Sequence, residues 1–342
     1  MKYFSIKPSV ISALTLLFLF LPHDCVWAEG VSSNSYYLRG NKFLLKKKVD
    51  KAIESYKKAI QLKPNEPKYY YKLAQAYQSK GLRDEAIKNY EKVIEIDHTY
   101  YWAYSKLADI FVETGNHKTA ILYYEICVFK CPREGEKHYY RGRICDISGE
   151  IDEAINEYKQ ALKQQPDYFD ALRCIAENYE KKQDLAMAAS YYLRAKRLRC
   201  YDEEILIKLG IVYTKLKEFQ KALTVLNVAL LINPFNRDTR FYLGKAFYGK
   251  GNLDHAIKQT EKALEIEPND PEIHFTLGLY YDKKGWHDLA VAEYQEALYL
   301  KPDYLFNKLE KLNRDKNQSS EESKTNEERE NGENRQQSAG ER

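Results

Sequence analysis

The stretch that decides the fold is residues 67–100, PKYYYKLAQAYQSKGLRDEAIKNYEKVIEIDHTY, followed at once by residues 101–134, YWAYSKLADIFVETGNHKTAILYYEICVFKCPRE. Aligned without a gap, the two pieces place Leu73-Ala74 over Leu107-Ala108, Gly81 over Gly115, Ala86 over Ala120 and Tyr90 over Tyr124. Extending the register in both directions places Ala52, Ala86, Ala120, Ala154, Ala188, Ala222, Ala256 and Ala290 at a constant spacing of 34 residues. A fixed period of this length means that one supersecondary unit is repeated along the chain. Each unit leaves an apolar face that only a neighbouring unit can cover.

Positions are numbered within a 34-residue frame that begins at Ser33. Position 8 is Gly or Ala in every unit, from Gly40 and Ala74 to Gly244 and Gly278. Position 27 is always small, from Ala59 to Ala297. Large side chains stand opposite: position 11 is Phe or Tyr in all units but one (Cys145), and position 24 is Tyr except at Leu226 and Thr260. Small residues on both helices let the axes approach, and rings fill the remaining space. Position 15 is Gly81, Gly115, Gly149, Gly251 and Gly285, where a helix must end and turn. Position 32 is Pro64, Pro132, Pro166, Pro234, Pro268 and Pro302, which stops the second helix.

The pattern at positions 4, 7, 8, 11, 20, 24, 27 and 32 resembles the tetratricopeptide repeat, over eight contiguous units spanning residues 33–304. The resemblance implies an all-α, right-handed superhelical solenoid of helix-turn-helix repeats. It also implies a protein-binding role, with positions 2, 5, 9 and 12 of the first helices lining a concave groove. Some relatives clamp a C-terminal carboxylate with Lys at position 5 and Asn at position 9. Here Asn41 stands at position 9 but Tyr37 occupies position 5, so that mode is not supported.

Outside the repeats the chain divides by composition. Lys2 and Lys7 precede an uncharged run of 12 residues from Val10 to Leu21, broken by Pro22. The run is short for a membrane span, and Val26-Trp27-Ala28 suits a signal peptidase. Residues 1–28 therefore read as a signal peptide cleaved near Ala28, and the protein as periplasmic or secreted. If uncleaved, the segment would be an N-terminal anchor. Leu305, Phe306, Leu309 and Leu312 fall at helical spacing, so residues 305–314 read as a capping helix. Residues 315–342 hold no large apolar side chain and read as a disordered polar tail.

The chemistry of a catalyst is hard to find. There is no Gly-Lys-Ser/Thr cradle and no His-Glu-x-x-His pair, and the repeats leave no room for a further domain of usual size. The reading is a non-enzymatic scaffold with no cofactor and no metal. Its alternatives are a structural component of an export or outer-membrane assembly machine, or an enzyme or small-molecule binder built on the repeats. The formal net charge of +4 gives no case for nucleic acid, nor for a membrane surface once the signal is removed. Cys127 at position 27 faces the helix that carries Cys145, so the two are either a disulfide pair or small core thiols, alongside Cys131, Cys174 and Cys200.

The expected partner site is the groove of units six to eight. There Ile207, Phe241 and Phe275 stand at position 5 and Ile211 and Leu279 at position 9, with Tyr242 and Tyr248 on the same helix as Phe241. Glu204, Asp238 and Glu272 at position 2 would meet basic residues of a bound amphipathic segment, although acids at helix starts are also favourable dipole partners. Units four and five carry Arg143, Asp146, Arg173, Glu177 and Glu180 at matching positions, a solvated polar face.

Overall fold

A computed structural model describes residues 32–303 of the chain. The signal peptide, the capping helix and the polar tail expected from the sequence lie outside the described residues. Within them the chain forms helical hairpins, one per 34-residue unit: α1 (Ser33–Leu45) with α2 (Val49–Leu62), α3 (Pro67–Ser79) with α4 (Arg83–Ile96), α5 (Tyr101–Glu113) with α6 (His117–Lys130) and α7 (Glu134–Ser148) with α8 (Ile151–Gln164). The series continues with α9 (Phe169–Lys181) and α10 (Leu185–Leu198), α11 (Glu203–Lys215) and α12 (Phe219–Ile232), α13 (Arg237–Gly249) and α14 (Leu253–Ile266), then α15 (Pro271–Lys284) and α16 (His287–Leu300). The first helix of a repeat is called A and the second B. Two compact units divide the chain between Ala154 and Ile155. Within each, A packs on its own B, and B on the next A.

The turn between A and B explains the period. Position 15 has a left-handed backbone in all eight repeats. Gly81, Gly115, Gly149, Gly251 and Gly285 take it, with φ between 75° and 82°. Lys47, Gln183 and Lys217 hold φ of 55°, 61° and 60° at the same place in the other three. An L side chain pays about 1–2 kcal/mol for that conformation. A Cβ at the glycines would meet nothing within 4 Å, so the requirement is one of backbone alone. Side-chain oxygens of Ser32, Asp202, Asn236 and Asp270 cap A helices, and those of Asn116, Asp184 and Asn252 cap B helices.

The core follows the sequence pattern closely. The position-20 and position-27 residues are all buried. Tyr56, Tyr90, Tyr124, Tyr158 and Tyr192 at position 24 are sealed inside, each ring packed where position 8 has little or no side chain. A Cβ on Gly40 would stand 2.5 Å from the Tyr56 ring, and one on Gly278 2.6 Å from Tyr294. The phenol oxygens escape the apolar interior by bonding outward. The Tyr56 hydroxyl donates to Asn41 (2.7 Å), Tyr90 to Gln78 (3.2 Å), Tyr124 to Asp109 (2.5 Å) and Tyr192 to Glu180 (2.8 Å). Position 24 thus favours Tyr over Phe, because Phe would leave those partners unmatched. Cys127, Cys131 and Cys200 are thiols outside any disulfide; Cys127, Cys131 and Cys174 are buried, and Cys127 Sγ faces the Tyr101 carbonyl at 3.4 Å.

Candidate functional site

The A helices of the C-terminal unit place the expected groove residues differently from their sequence reading. Phe241 and Phe275 are 1% and 3% exposed, and Ile207 is buried too. They are core residues and offer no open apolar row. Phe241 lies with Ala263 and Ile273 between successive repeats, and Lys245 Nζ covers its ring at 4.1 Å. Phe275 packs on Tyr294 at 5.7 Å between centroids. The reason is geometric: position 5 points into the seam between adjacent repeats, and a ring without a polar tip sinks into it. Ile211, Tyr242 and Leu279 are half-buried. Tyr248 is exposed and stacks on Tyr280 at 4.7 Å.

The acids at position 2 also divide. Glu272 accepts from Lys245 Nζ at 2.8 Å. Asp238 is paired with Arg237, whose guanidinium also meets Asp270 and, at 3.0 Å, Glu267. Glu136 is buried against Arg133 at 2.6 Å and accepts from the Cys131 thiol. Glu204 stands exposed at the start of α11. In α9 Arg173 pairs with Glu177 at 2.8 Å, and Lys215 approaches Glu180 at 3.4 Å.

The N-terminal unit carries an array of rings outside the groove expected from the sequence. Tyr37 leans on Tyr69 (5.3 Å), and Tyr71 on Tyr100 (5.3 Å). Tyr100 then meets Trp102 edge-on at 5.4 Å, and Trp102 lies 4.6 Å from Tyr101. Trp102 is 43% exposed, and Tyr37, Tyr71 and Tyr100 are half-buried. Lys68 sits over Tyr37 and Tyr69, and Arg133 over Trp102. Burial, helped by neighbouring negative groups, pushes the Tyr71 and Tyr100 phenols up to about 12, so both remain neutral donors. The run Tyr100-Tyr101-Trp102 at one repeat joint was the available signal, and it spans a frame boundary.

Polar groups stand on the same A helices. Lys72, half-buried, donates to Gln75 Oε1 at 2.9 Å and has no carboxylate partner among the described residues. Burial holds its ammonium below the usual lysine range. Asp109 receives the Tyr124 hydroxyl, Lys106 Nζ at 3.0 Å and Arg143 at 3.3 Å. Burial alone would raise its carboxyl, and Arg143, Lys106 and the Tyr124 hydroxyl outweigh it and leave it lowered. The arrangement offers ring faces, neutral hydroxyls and a desolvated cation. Among the described residues no group of three or more His, Cys, Asp or Glu could hold a metal ion, and no helix is long and apolar enough to cross a membrane.

Known proteins agree with this architecture. The family pattern described as TPR repeat matches residues 40–81, 142–183 and 244–285, and the tetratricopeptide repeat pattern matches 67–100 and 271–304. The BBSome complex member BBS4 of Bos taurus is 32% identical over 124 residues, 36% of this chain and 24% of that protein. This chain thus spans about a quarter of the curated relative's length. The crystal structure of the APC/C hetero-tetramer Cut9-Hcn1 superposes with a TM-score of 0.63 at 18% identity, covering 87% of this chain and 57% of that one. MamA is 27% identical over 48% of this chain and 95% of its own, with a TM-score of 0.45. With the period, the left-handed turns and the small-to-large packing all in place, the two repeat-pattern matches establish that the chain belongs to the tetratricopeptide repeat family.

Proposed function

We propose that this protein is a non-enzymatic scaffold that holds an extended segment of a partner protein, and that it works outside the cytoplasm. Tetratricopeptide repeat proteins are generally interaction scaffolds, and a relative is by its name a member of a multi-protein complex. The observation that carries the reading is the half-open ring series Tyr37, Tyr71, Tyr100 and Trp102, with Lys68 over Tyr37 and Arg133 over Trp102. Rings already ordered by one another lose little freedom on binding, and aromatic side chains are enriched where binding energy concentrates. The reading moves the main anchor from repeats six to eight to repeats one to three. In the C-terminal unit the exposed Glu204 and Tyr248 remain available for secondary contacts.

The extracytoplasmic location rests on residues 1–28 and predicts a mature terminus at Glu29. N-terminal sequencing of the native protein checks it; Met1 on the soluble form would overturn it. The scaffold reading is tested by crosslinking in the native cell fraction followed by peptide mapping. Links from Lys68, Lys72 or Lys106 to one recurring protein are expected. Turnover of a small molecule by the purified chain would refute it.

A further inference from the structure

One edge of the C-terminal unit presents large apolar side chains to solvent in a way the partner-holding face does not require. At the joint between α10 and α11 stands Tyr201, 78% exposed, and at the joint between α12 and α13 stands Phe235, 79% exposed. Leu231 in the last turn of α12 is 83% exposed, and Leu198 closes α10 beside Tyr201. The two joints are adjacent in space. The Asn233 and Asn236 side-chain amides both donate to Glu203 Oε1, at 2.9 and 3.1 Å, tying the second joint to the start of α11 next to the first.

These rings are held outward. The Phe235 backbone N–H donates to Asn233 Oδ1 (3.2 Å), and Arg240 Nε donates to the Pro234 carbonyl (2.9 Å). The joint is therefore braced on both sides, while the ring it carries touches little. Exposed apolar residues of this size gathered on neighbouring loops mark a surface that is covered in use.

The surroundings are basic. The end of α10 and its C-cap read Arg194-Ala-Lys196-Arg197-Leu198-Arg199, four cations in six residues. Arg194 and Arg197 are exposed, and neither has an acidic partner among the described residues. The nearby acids are mostly engaged. Asp202 caps α11 and faces Arg199 at 4.0 Å, and Glu203 takes the two Asn amides. Glu204 is the exposed carboxylate of this joint and stands at the position assigned to the groove. A formal charge of +4 over the whole chain averages this cluster away.

We propose that this edge docks on an anionic lipid bilayer, with Tyr201, Phe235 and Leu231 entering the headgroup layer and Arg194, Lys196 and Arg197 meeting lipid phosphates. Rings at loop tips, beside a cation cluster, suit a broad surface better than a threaded peptide. Tyrosine belongs at the boundary between water and acyl chains, and surface cations add attraction to anionic lipid. The proposal is independent of the groove, because it uses none of the residues of the A-helix ring series.

The test is co-sedimentation of the full chain with phosphatidylcholine vesicles, with and without phosphatidylglycerol. The excess binding to anionic vesicles is what is read, since an apolar N-terminal run would add equally to both. We expect a clear excess that falls at high salt. Arg194→Glu with Arg197→Glu, and separately Tyr201→Ser with Phe235→Ser, should each lower it at least about tenfold. Circular dichroism of both variants should match the parent, because the altered side chains are exposed. No excess on anionic vesicles would overturn the proposal, as would an excess that survives both variants. Self-association, or capture of an acidic protein, that both variants abolish while vesicles bind nothing would assign the edge to that occupant instead.

Discussion

The two compact units use the same helix positions for opposite purposes. At position 5 the N-terminal unit has Tyr37 and Tyr71, half-open and leaning on further rings; the C-terminal unit has Ile207, Phe241 and Phe275, buried. At position 2 the former has Asn34, Lys68, Trp102 and one acid, the buried Glu136, where the latter has Asp170, Glu204, Asp238 and Glu272. A phenol can bury its ring and keep its oxygen at the surface, so a Tyr at the seam stays partly available. A Phe has no such tip and becomes core. Hydropathy therefore misleads here: the more apolar face is the less accessible one.

The largest effect that can break this comparison is Phe241→Ala. If the ring is core, the C-terminal unit should lose about 3–5 kcal/mol in chemical denaturation. A loss within about 0.5 kcal/mol, as for a surface change, would restore the exposed groove first expected from the sequence. Next comes Ala188→Leu in the C-terminal unit, paired with Ala86→Leu in the N-terminal one. Both sites are fully buried, so overpacking should cost each about 1–3 kcal/mol. Unequal losses would mean that one unit packs its hairpins more loosely.

Asp109→Asn sharpens the N-terminal side. Arg143, Lys106 and Tyr124 would face an amide in place of a carboxylate, at a cost of about 1–3 kcal/mol near neutral pH. The sign of the pH dependence follows from the lowered carboxyl. Its contribution is present above the unfolded carboxylate value and is lost as pH falls through the folded one. The variant should therefore lose less stability on acidification than the parent, measured as denaturation midpoints across an acid series.

The smallest effect is a gain. Lys217→Gly and Gln183→Gly in the C-terminal unit, and Lys47→Gly in the N-terminal one, relieve a left-handed side chain. Each should add about 0.5–1 kcal/mol, after glycine's extra chain entropy is subtracted. No gain at any of the three would mean that the turn tolerates side chains without strain.

The repeat was legible because it rests on local rules. Ala at position 20, Gly or Ala at position 8 and the chain stops at positions 15 and 32 each follow from helix packing or backbone geometry. The left-handed turn at Lys47, Gln183 and Lys217 was hidden because no glycine marks it. The site was less legible. Whether Phe241 lies in a groove or a seam depends on how the next repeat is placed, which no single helix encodes. The ring series from Tyr71 through Tyr100 to Trp102 crosses from one repeat to the next, so a position-by-position reading separates its members. The basic edge at Arg194 to Arg199 was lost in the overall charge.

The central claim is that the half-open rings of the N-terminal unit, and not the buried ones of the C-terminal unit, receive the partner. The measurement that reaches it most directly is partner capture together with thermal melting for Trp102→Ala combined with Lys72→Ala. Trp102 is 43% exposed and Lys72 lacks a carboxylate partner, so the melting midpoint should move far less than for Phe241→Ala, while capture should fall by at least about tenfold. Undiminished capture by a folded double variant would contradict the account.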